Sequence, residues 1–345
     1  LRAKDQGTDP ALPTLEDVAA RAGVSTATVS RSLNSPALVS DTTRERVMAA
    51  VRDLGYAPNF GARALAARRT NTIGAIIPTM ENAIFARGLQ AFQEVLGRGG
   101  VTLLVASSSY DPATEEDQIR TLVARGADAL LLIGHDRTPQ SYAFLEKRRI
   151  PHVVAWVHDP AAPRLSIGFD NRAAMRALAQ EVLALGHRHL GTITAPRATN
   201  DRARERLEGI REAMRDHGLD PDTLLIEEET YSIENGARAF ARLMDRAPRP
   251  TVVLCGNDVF AAGALMAAHE MGLDVPGDVS VTGFDDIELA GIVRPGLTTV
   301  HVPHREMGRQ AAQRLLALCA GEAPGESVRL DTVLQWRESL APPPA

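Results

Sequence analysis

Two sets of residues in this chain have types and spacings that can do chemistry. The first lies in "VSTATVSRSLN". If this segment is a helix, Val24, Val29 and Leu33 face inward and Thr26, Ala27, Ser30 and Arg31 share the outer face. Thr and Arg can contact base edges, Ala can touch a thymine methyl, and Ser30 can hold a phosphate. The second set stands where apolar runs end. Arg204 and Arg206 lie in "RARERLEG", Asn257 in "CGNDVF" and Asp285 in "TGFDDIELA". Such residues hydrogen-bond hydroxyl groups when they converge on one cleft, while aromatic faces pack on a ring. Blander roles stay open for both sets. Any three-helix bundle shows the first pattern, Asn257 and Asp285 can be helix N-caps, and Arg204 can be a solvated helix residue.

The elements that must position these residues are legible in outline. Residues 14–56 read as helical. Thr14 can cap a helix with Asp17 in capping-box position, Gly23 breaks that helix, Ser25 caps the next, and Ser40 caps a third that stops at Gly55. The first two form a helix-turn-helix layout. A short basic segment, "PNFGARALAARRTN", follows. From Thr72 the period changes. Ten strand candidates alternate with amphipathic helices: "TIGAII", "VTLLVAS", "ALLLI", "HVVAW", "LSIGF", "LGTIT", "TLLIE", "TVVLC", "VSVTGF" and "TTVHV". Near-continuous apolar strands between helices mean parallel sheets covered on both faces, and ten suggest two lobes with a cleft between them.

Composition narrows the class. The 345 residues are 44% hydrophobic and 23% charged, ordinary for globular proteins, and no apolar run approaches the roughly 20 residues that span a bilayer. No membrane partner is expected. The N-terminal residues lack the apolar centre of a secretory signal, and two cysteines, Cys255 and Cys319, suit a reducing cytoplasm. Net charge is −5, yet residues 14–69 carry eight arginines against five carboxylates, leaving +3 there and −8 elsewhere. A basic module on an acidic body suits a nucleic-acid-binding end. His187, His189, His301 and His304 lack cysteine or carboxylate partners at metal-ligand spacing, so no metal is expected. No G-x-S-x-G or phosphate-loop motif occurs, so neither enzyme activity nor a cofactor is expected.

From "TLEDVAARAGVSTATVSRSLN" through "YAPNFGARALAARRTNTIGAIIP" the chain resembles the LacI/GalR family of bacterial transcription regulators. The resemblance is nearly continuous from Thr14 to Pro78, with weaker motifs to about Trp336. It implies an all-α helix-turn-helix DNA-binding domain plus hinge helix, followed by two doubly wound parallel-sheet lobes of periplasmic-binding-protein type. The expected boundaries are a disordered tail at 1–13, the DNA-binding domain at 14–58, and hinge and linker at 59–71. The effector domain follows at 72–338, with an N-lobe of about 72–169 and 300–329 and a C-lobe of about 170–299 and 330–338. A second disordered tail follows at 339–345. Chain crossings fall near Phe169, Thr299 and Leu330.

The resemblance also implies roles. Thr26 and Ala27 hold the variable base-reading positions and Arg31 the next. Thr14, Ser25, Thr28, Ser30, Asn34 and Tyr56 join the DNA-contact set, with Asn59, Ala62, Leu65 and Ala66 from the hinge. Leu65 would wedge a minor-groove base step, and Arg63, Arg68 and Arg69 would add phosphate attraction. The implied partners are double-stranded DNA at a near-palindromic operator, a second copy as a homodimer, and a small-molecule effector. Without a leucine-heptad segment after Trp336, assembly beyond a dimer is not expected. Effector contacts fall on Phe85, Trp156, Arg204, Arg206, Tyr231, Asn257, Asp285 and His304. Trp156 replaces an acidic residue of some sugar-binding members. "IPHVVAWVHDPAAPRLSIGFDN" and "PHREMG" are similar to gluconate-responsive members, so a sugar acid is expected first, then a neutral sugar, then a nucleobase. The function implied is a ligand-controlled transcription regulator, expected to repress. A solute-binding protein of transport would carry a signal peptide and no helix-turn-helix. A sugar-modifying enzyme would need a catalytic constellation.

Overall fold

A computed structural model describes residues 12–57, 69–81 and 83–344. The chain divides after Thr70 into two compact units.

The first unit is three helices, α1 (Leu15–Ala22), α2 (Thr26–Asn34) and α3 (Asp41–Leu54). The capping box forms as the sequence predicts. Thr14 Oγ1 accepts from Asp17 N, and Asp17 Oδ2 accepts from Thr14 N. Gly23 takes φ +64°, a left-handed turn that costs other residues more, and lets α2 fold back on α1. Val18, Ala19, Ala22, Val29, Val47 and Ala50 form the core, flanked by Leu15, Val24, Leu33 and Tyr56. Ser40 precedes α3, but its hydroxyl donates to Thr43 Oγ1 rather than accepting from the helix backbone, correcting the expected side-chain cap.

The second unit holds two parallel sheets. Strands β1 (Thr72–Ile77), β2 (Thr102–Ser107), β3 (Ala129–Ile133), β4 (His152–Ala155), β5 (Ser166–Gly168) and β11 (Val328–Arg329) make the N-lobe sheet, in the order β2-β1-β3-β4-β5-β11. Strands β6 (Leu190–Thr194), β7 (Leu225–Glu228), β8 (Val252–Cys255) and β9 (Ser280–Thr282) make the C-lobe sheet, in the order β7-β6-β8-β9. In both, the chain order reverses beside the first strand, between β1 and β3 and between β6 and β8. That reversal opens a crevice at the carboxyl ends of the strands.

Helices α4 (Ala83–Arg98), α5 (Pro112–Ala124), α6 (Pro139–Arg148) and α12 (His304–Ala320) cover the first sheet. Helices α7 (Asn171–Ala184), α8 (Asp201–Asp216), α9 (Ile233–Met244) and α10 (Asp258–Glu270) cover the second, and the short α11 (Glu288–Ile292) packs on α10. All six β1 residues and all five β3 residues are buried, which accounts for their unbroken apolar sequence. Among the described residues no helix is long and apolar enough to cross a membrane.

Crossovers between the lobes fall after β5, at β10 (Thr299–His301) and between β11 and β12 (Val333–Gln335). There β10 and β12 pair antiparallel, Val300 opposite Leu334. The expected C-terminal tail needs correction. Ser339 is fully buried: its Oγ accepts from Thr298 N at 2.9 Å and donates to Val281 O at 2.6 Å. Ala341 O accepts from Ser280 Oγ and meets His187 Nε2 at 2.8 Å. Residues 339–341 therefore finish the C-lobe, because the carboxyl-terminal backbone satisfies the donors and acceptors along β9.

Candidate functional site

In the first unit, Ser25, Thr26, Ala27 and Arg31 are exposed on α2 and its N-cap, while Val29 is fully buried beneath them. Thr26, Ala27 and Arg31 thus face solvent rather than the core. Thr28 and Ser30 are half-buried. Ser25 Oγ accepts from Thr28 N and shares a 3.0 Å hydrogen bond with Thr28 Oγ1, so these two hydroxyls fix the start of the helix. Thr14 is exposed at the cap of α1, Asn34 is the last residue of α2, and Tyr56 packs half-buried against the small core. Asn59, Ala62, Leu65 and Ala66 lie outside the described residues.

In the second unit, a cavity of about 500 Å³ opens at the strand ends of both lobes. Its walls include Thr79 and Met80 after β1, Ser109 and Tyr110 after β2, Pro196 after β6 and Tyr231 after β7. Tyr110 and Tyr231 meet with ring centroids 5.7 Å apart, and Tyr231 stacks on Phe260 of α10 at 4.9 Å. Burial holds both phenols above their ordinary range, and Arg202, Arg206 and Asp285 lie within electrostatic reach of them.

Those charges belong to a buried polar cluster behind the tyrosines. Arg206 projects from α8 with its guanidinium 3.8 Å over the Phe284 ring. Its Nε donates to Asn171 Oδ1 at 2.9 Å and its Nη1 to Gly256 O at 2.6 Å. Its Nη2 stands 3.7 Å from Asp285 Oδ1, beyond hydrogen-bonding range. Asp285 follows β9 with φ +104°, a conformation unfavourable for any residue with a Cβ. It is 1% exposed, and neither carboxylate oxygen has a partner. Burial pushes its carboxyl up to about 7, against the pull of Arg206. It caps no helix, since Ile287 holds the N-cap of α11.

Asn257 follows β8 and serves both readings the sequence allows. Its Oδ1 accepts from Phe260 N at 2.9 Å, capping α10, and its buried Nδ2 has no partner. His304 opens α12. Its Nδ1 lies 3.2 Å from Trp156 Nε1, which can only donate, so the remaining proton sits on Nε2. That Nε2 is buried, unpartnered and 4.0 Å from Asp285 Oδ1. Burial lowers the imidazole to about 3, so it is neutral.

Buried polar groups are normally satisfied. Asn257 Nδ2, both Asp285 oxygens and His304 Nε2 are four exceptions in one cluster, offering two donors and two acceptors beside a cation.

Of the expected effector contacts only Tyr231 lines the tyrosine-walled cavity; Arg206, Asn257, Asp285 and His304 lie in the buried polar cluster, and Phe85 and Trp156 pack on each other. Each of these two is 1% exposed, and their ring centroids are 5.4 Å apart. Trp156 acts from behind, through His304 Nδ1 and through its carbonyl, which accepts from Asn171 Nδ2 at 3.0 Å. The crossing of α4 with α12 makes this possible. A Cβ on Gly88 would lie 2.5 Å from the indole, and one on Gly308 2.0 Å from Gly88 O. Arg204 lies instead at a second cavity, of about 410 Å³, bound to Asp136. Residues missed in the sequence are Tyr110, Asn171 and Arg202. Tyr110 had a findable signal, as the last aromatic after a strand and before a Pro-started helix. Asn171 and Arg202 look like ordinary first-turn helix residues. Among the described residues no three His, Cys, Asp or Glu side chains are grouped to hold a metal ion.

A helix-turn-helix unit with an exposed recognition face, followed by a two-lobe α/β unit with a polar cleft, defines a DNA-binding regulator with a small-molecule-binding body. Comparison with known proteins agrees along nearly the whole chain. Residues 14–59 match the bacterial regulatory proteins of the lacI family, and residues 179–340 the periplasmic binding protein-like domain. The chain is 35% identical over 329 residues to the HTH-type transcriptional regulator GntR of Pseudomonas aeruginosa, covering 95% of each. Among solved structures, a LacI-family transcriptional regulator from Silicibacter pomeroyi superposes with a TM-score of 0.86 at 31% identity, over 95% of this chain and 99% of that one. The lac repressor dimer bound to operator and the anti-inducer ONPF gives 0.83 at 29% identity, over 95% and 98%. The protein belongs to the LacI family and is a DNA-binding transcription regulator.

Proposed function

We propose that this regulator is a repressor that binds a near-palindromic operator as a homodimer and responds to a small polyhydroxylated effector, a sugar acid before a neutral sugar. The observation that carries the reading is the cluster of unpartnered buried atoms on Asn257, Asp285 and His304 beside Arg206. Asn257 Nδ2 and His304 Nε2 donate, Asp285 accepts, and vicinal hydroxyls supply both complements. Tyr231 and Tyr110 offer ring faces. Arg206 Nη2, which stands 3.7 Å from Asp285, favours an effector that also carries a carboxylate. In this reading Phe85 and Trp156 support His304, and Thr26, Ala27 and Arg31 read base edges from α2. The hinge residues Asn59, Ala62, Leu65 and Ala66 are proposed to contact DNA on the family resemblance alone.

The mechanism is linkage. An effector that prefers one lobe arrangement shifts the population of that arrangement and so the geometry presented to DNA. A coupling of about 1–3 kcal/mol changes operator affinity about 5- to 150-fold. A thermal-shift screen of sugars and sugar acids tests the effector, since a ligand that binds the native state raises its melting temperature. At least one sugar acid is expected to stabilise the protein, and silence across both classes refutes the effector class. For the DNA end, Arg31→Ala is expected to weaken binding to promoter-region DNA by about 1–3 kcal/mol and relax base choice at one position. Unchanged affinity and specificity in a gel-shift series defeats the assignment of α2.

A further inference from the structure

The lobes are joined across the cleft by side chains that need no ligand. After β3 the N-lobe presents His135 and Asp136, and the first turn of α8 in the C-lobe presents Asp201 and Arg204. Asp136 Oδ1 and Oδ2 accept from Arg204 Nη2 and Nη1, both at 2.8 Å. This is the two-pronged geometry that makes an arginine–carboxylate pair strong. Arg204 Nη1 also donates to Arg197 O at 2.7 Å, which fixes the guanidinium plane on the C-lobe. One residue earlier, His135 N donates to the Asp201 carboxylate, which Arg202 Nη1 holds at 2.8 Å. Away from these contacts, Arg87 of α4 reaches Glu288 Oε1 at 3.0 Å, but Glu288 is mostly exposed, so that pair adds little.

We propose that Asp136 and Arg204 form a latch that favours the closed arrangement of the cleft. Arg204 is then a positioning residue, acting on effector affinity through lobe closure rather than by touching the effector. If the effector binds the closed arrangement, its apparent dissociation constant is the intrinsic one divided by the closed fraction. The latch therefore sets the response threshold from outside the tyrosine-walled cavity. The Arg204 and Asp136 side chains are 42% and 30% exposed, so solvent weakens the pair. Loss of either partner is expected to lower the closed-to-open ratio about 2- to 5-fold. Salt should act in the same direction.

The proposal rests on the second unit being a hinged ligand binder, but its test uses neither ligand nor DNA, so either idea can fail alone. Full-length protein carries spin labels on Lys147→Cys in the N-lobe and Asp222→Cys in the C-lobe, in a Cys319→Ser background. Cys255 is fully buried. Pulsed electron paramagnetic resonance then reads the interlobe distance. Arg204→Gln and Asp136→Asn should each move population from the short to the long distance. The exchanged pair, Asp136→Arg with Arg204→Asp, should restore the short one, and melting curves establish that each variant is folded. Distances unmoved in the single variants overturn the latch. So does opening that the exchanged pair fails to reverse, because a general disturbance would not care which lobe bears the positive charge.

Discussion

Asp285→Asn should make the ligand-free regulator more stable, by an amount that grows with pH. The wild-type carboxyl sits at about 7 against an ordinary 3.8, and burial is the cause. That difference corresponds to about 4 kcal/mol at 1.36 kcal/mol per tenfold change in proton affinity. The sign follows from proton counts. Between pH 3.8 and about 7 the folded chain keeps a proton on Asp285 that the unfolded chain has released. Stability from this group is therefore fully present below 3.8 and lost as pH rises towards 7. Asparagine has nearly the same shape and nothing to ionise. The variant should gain little near pH 4 and at most about 4 kcal/mol above pH 7, while losing effector binding. Buried Asp258, raised partly by Asp285, should be relieved in the same direction. His304 imposes an opposite slope at low pH, because burial holds it neutral, but that slope is common to both proteins and cancels in their difference. Urea denaturation of the two ligand-free proteins at half-unit steps from pH 4 to 8 measures the difference. A difference that does not vary with pH, or a variant less stable at pH 8, refutes the claim that Asp285 is a buried carboxylate awaiting a partner.

Two further outcomes follow from local geometry. Gly88→Ala should destabilise the second unit by about 1–3 kcal/mol in thermal denaturation and weaken effector response, because the new methyl overlaps the Trp156 ring that holds His304; unchanged stability would mean the α4–α12 crossing is looser than described. Ser339→Ala should cost about 1–3 kcal/mol, since it strands the buried Thr298 N–H and Val281 carbonyl. A neutral outcome in the same assay would show the C-terminal residues dispensable.

Local rules made much of this legible from the sequence. The capping box at Thr14 and the turn at Gly23 depend on residues within one helical turn, and β1 and β3 announce themselves by unbroken apolar runs. Asn257 stands at a strand end where a helix begins, and its N-cap role is readable there. What the sequence concealed depends on distant partners. Strands β11 and β12, two and three residues long, carry too little pattern to read. The tail "APPPA" looks disordered, yet the residues just before and within it bond to β9. Phe85 and Trp156 have the right types for ring contact, but the close crossing of α4 and α12 turns them inward. Arg204 finds Asp136 across 68 positions of sequence, and no spacing rule foretells such a pair.

The divided amide of Asn257 has a consequence for how this regulator can diversify. One atom starts α10 and the other is buried without a partner, so the two atoms are chemically separable. Aspartate caps helices as well as asparagine does, yet at this position it would present an oxygen acceptor where a donor now stands. A single-nucleotide change would thus invert what this residue offers while keeping the helix start, but it would also bury a further carboxylate next to the buried Asp258. Selectivity at this position can change only together with a group that offsets the new charge.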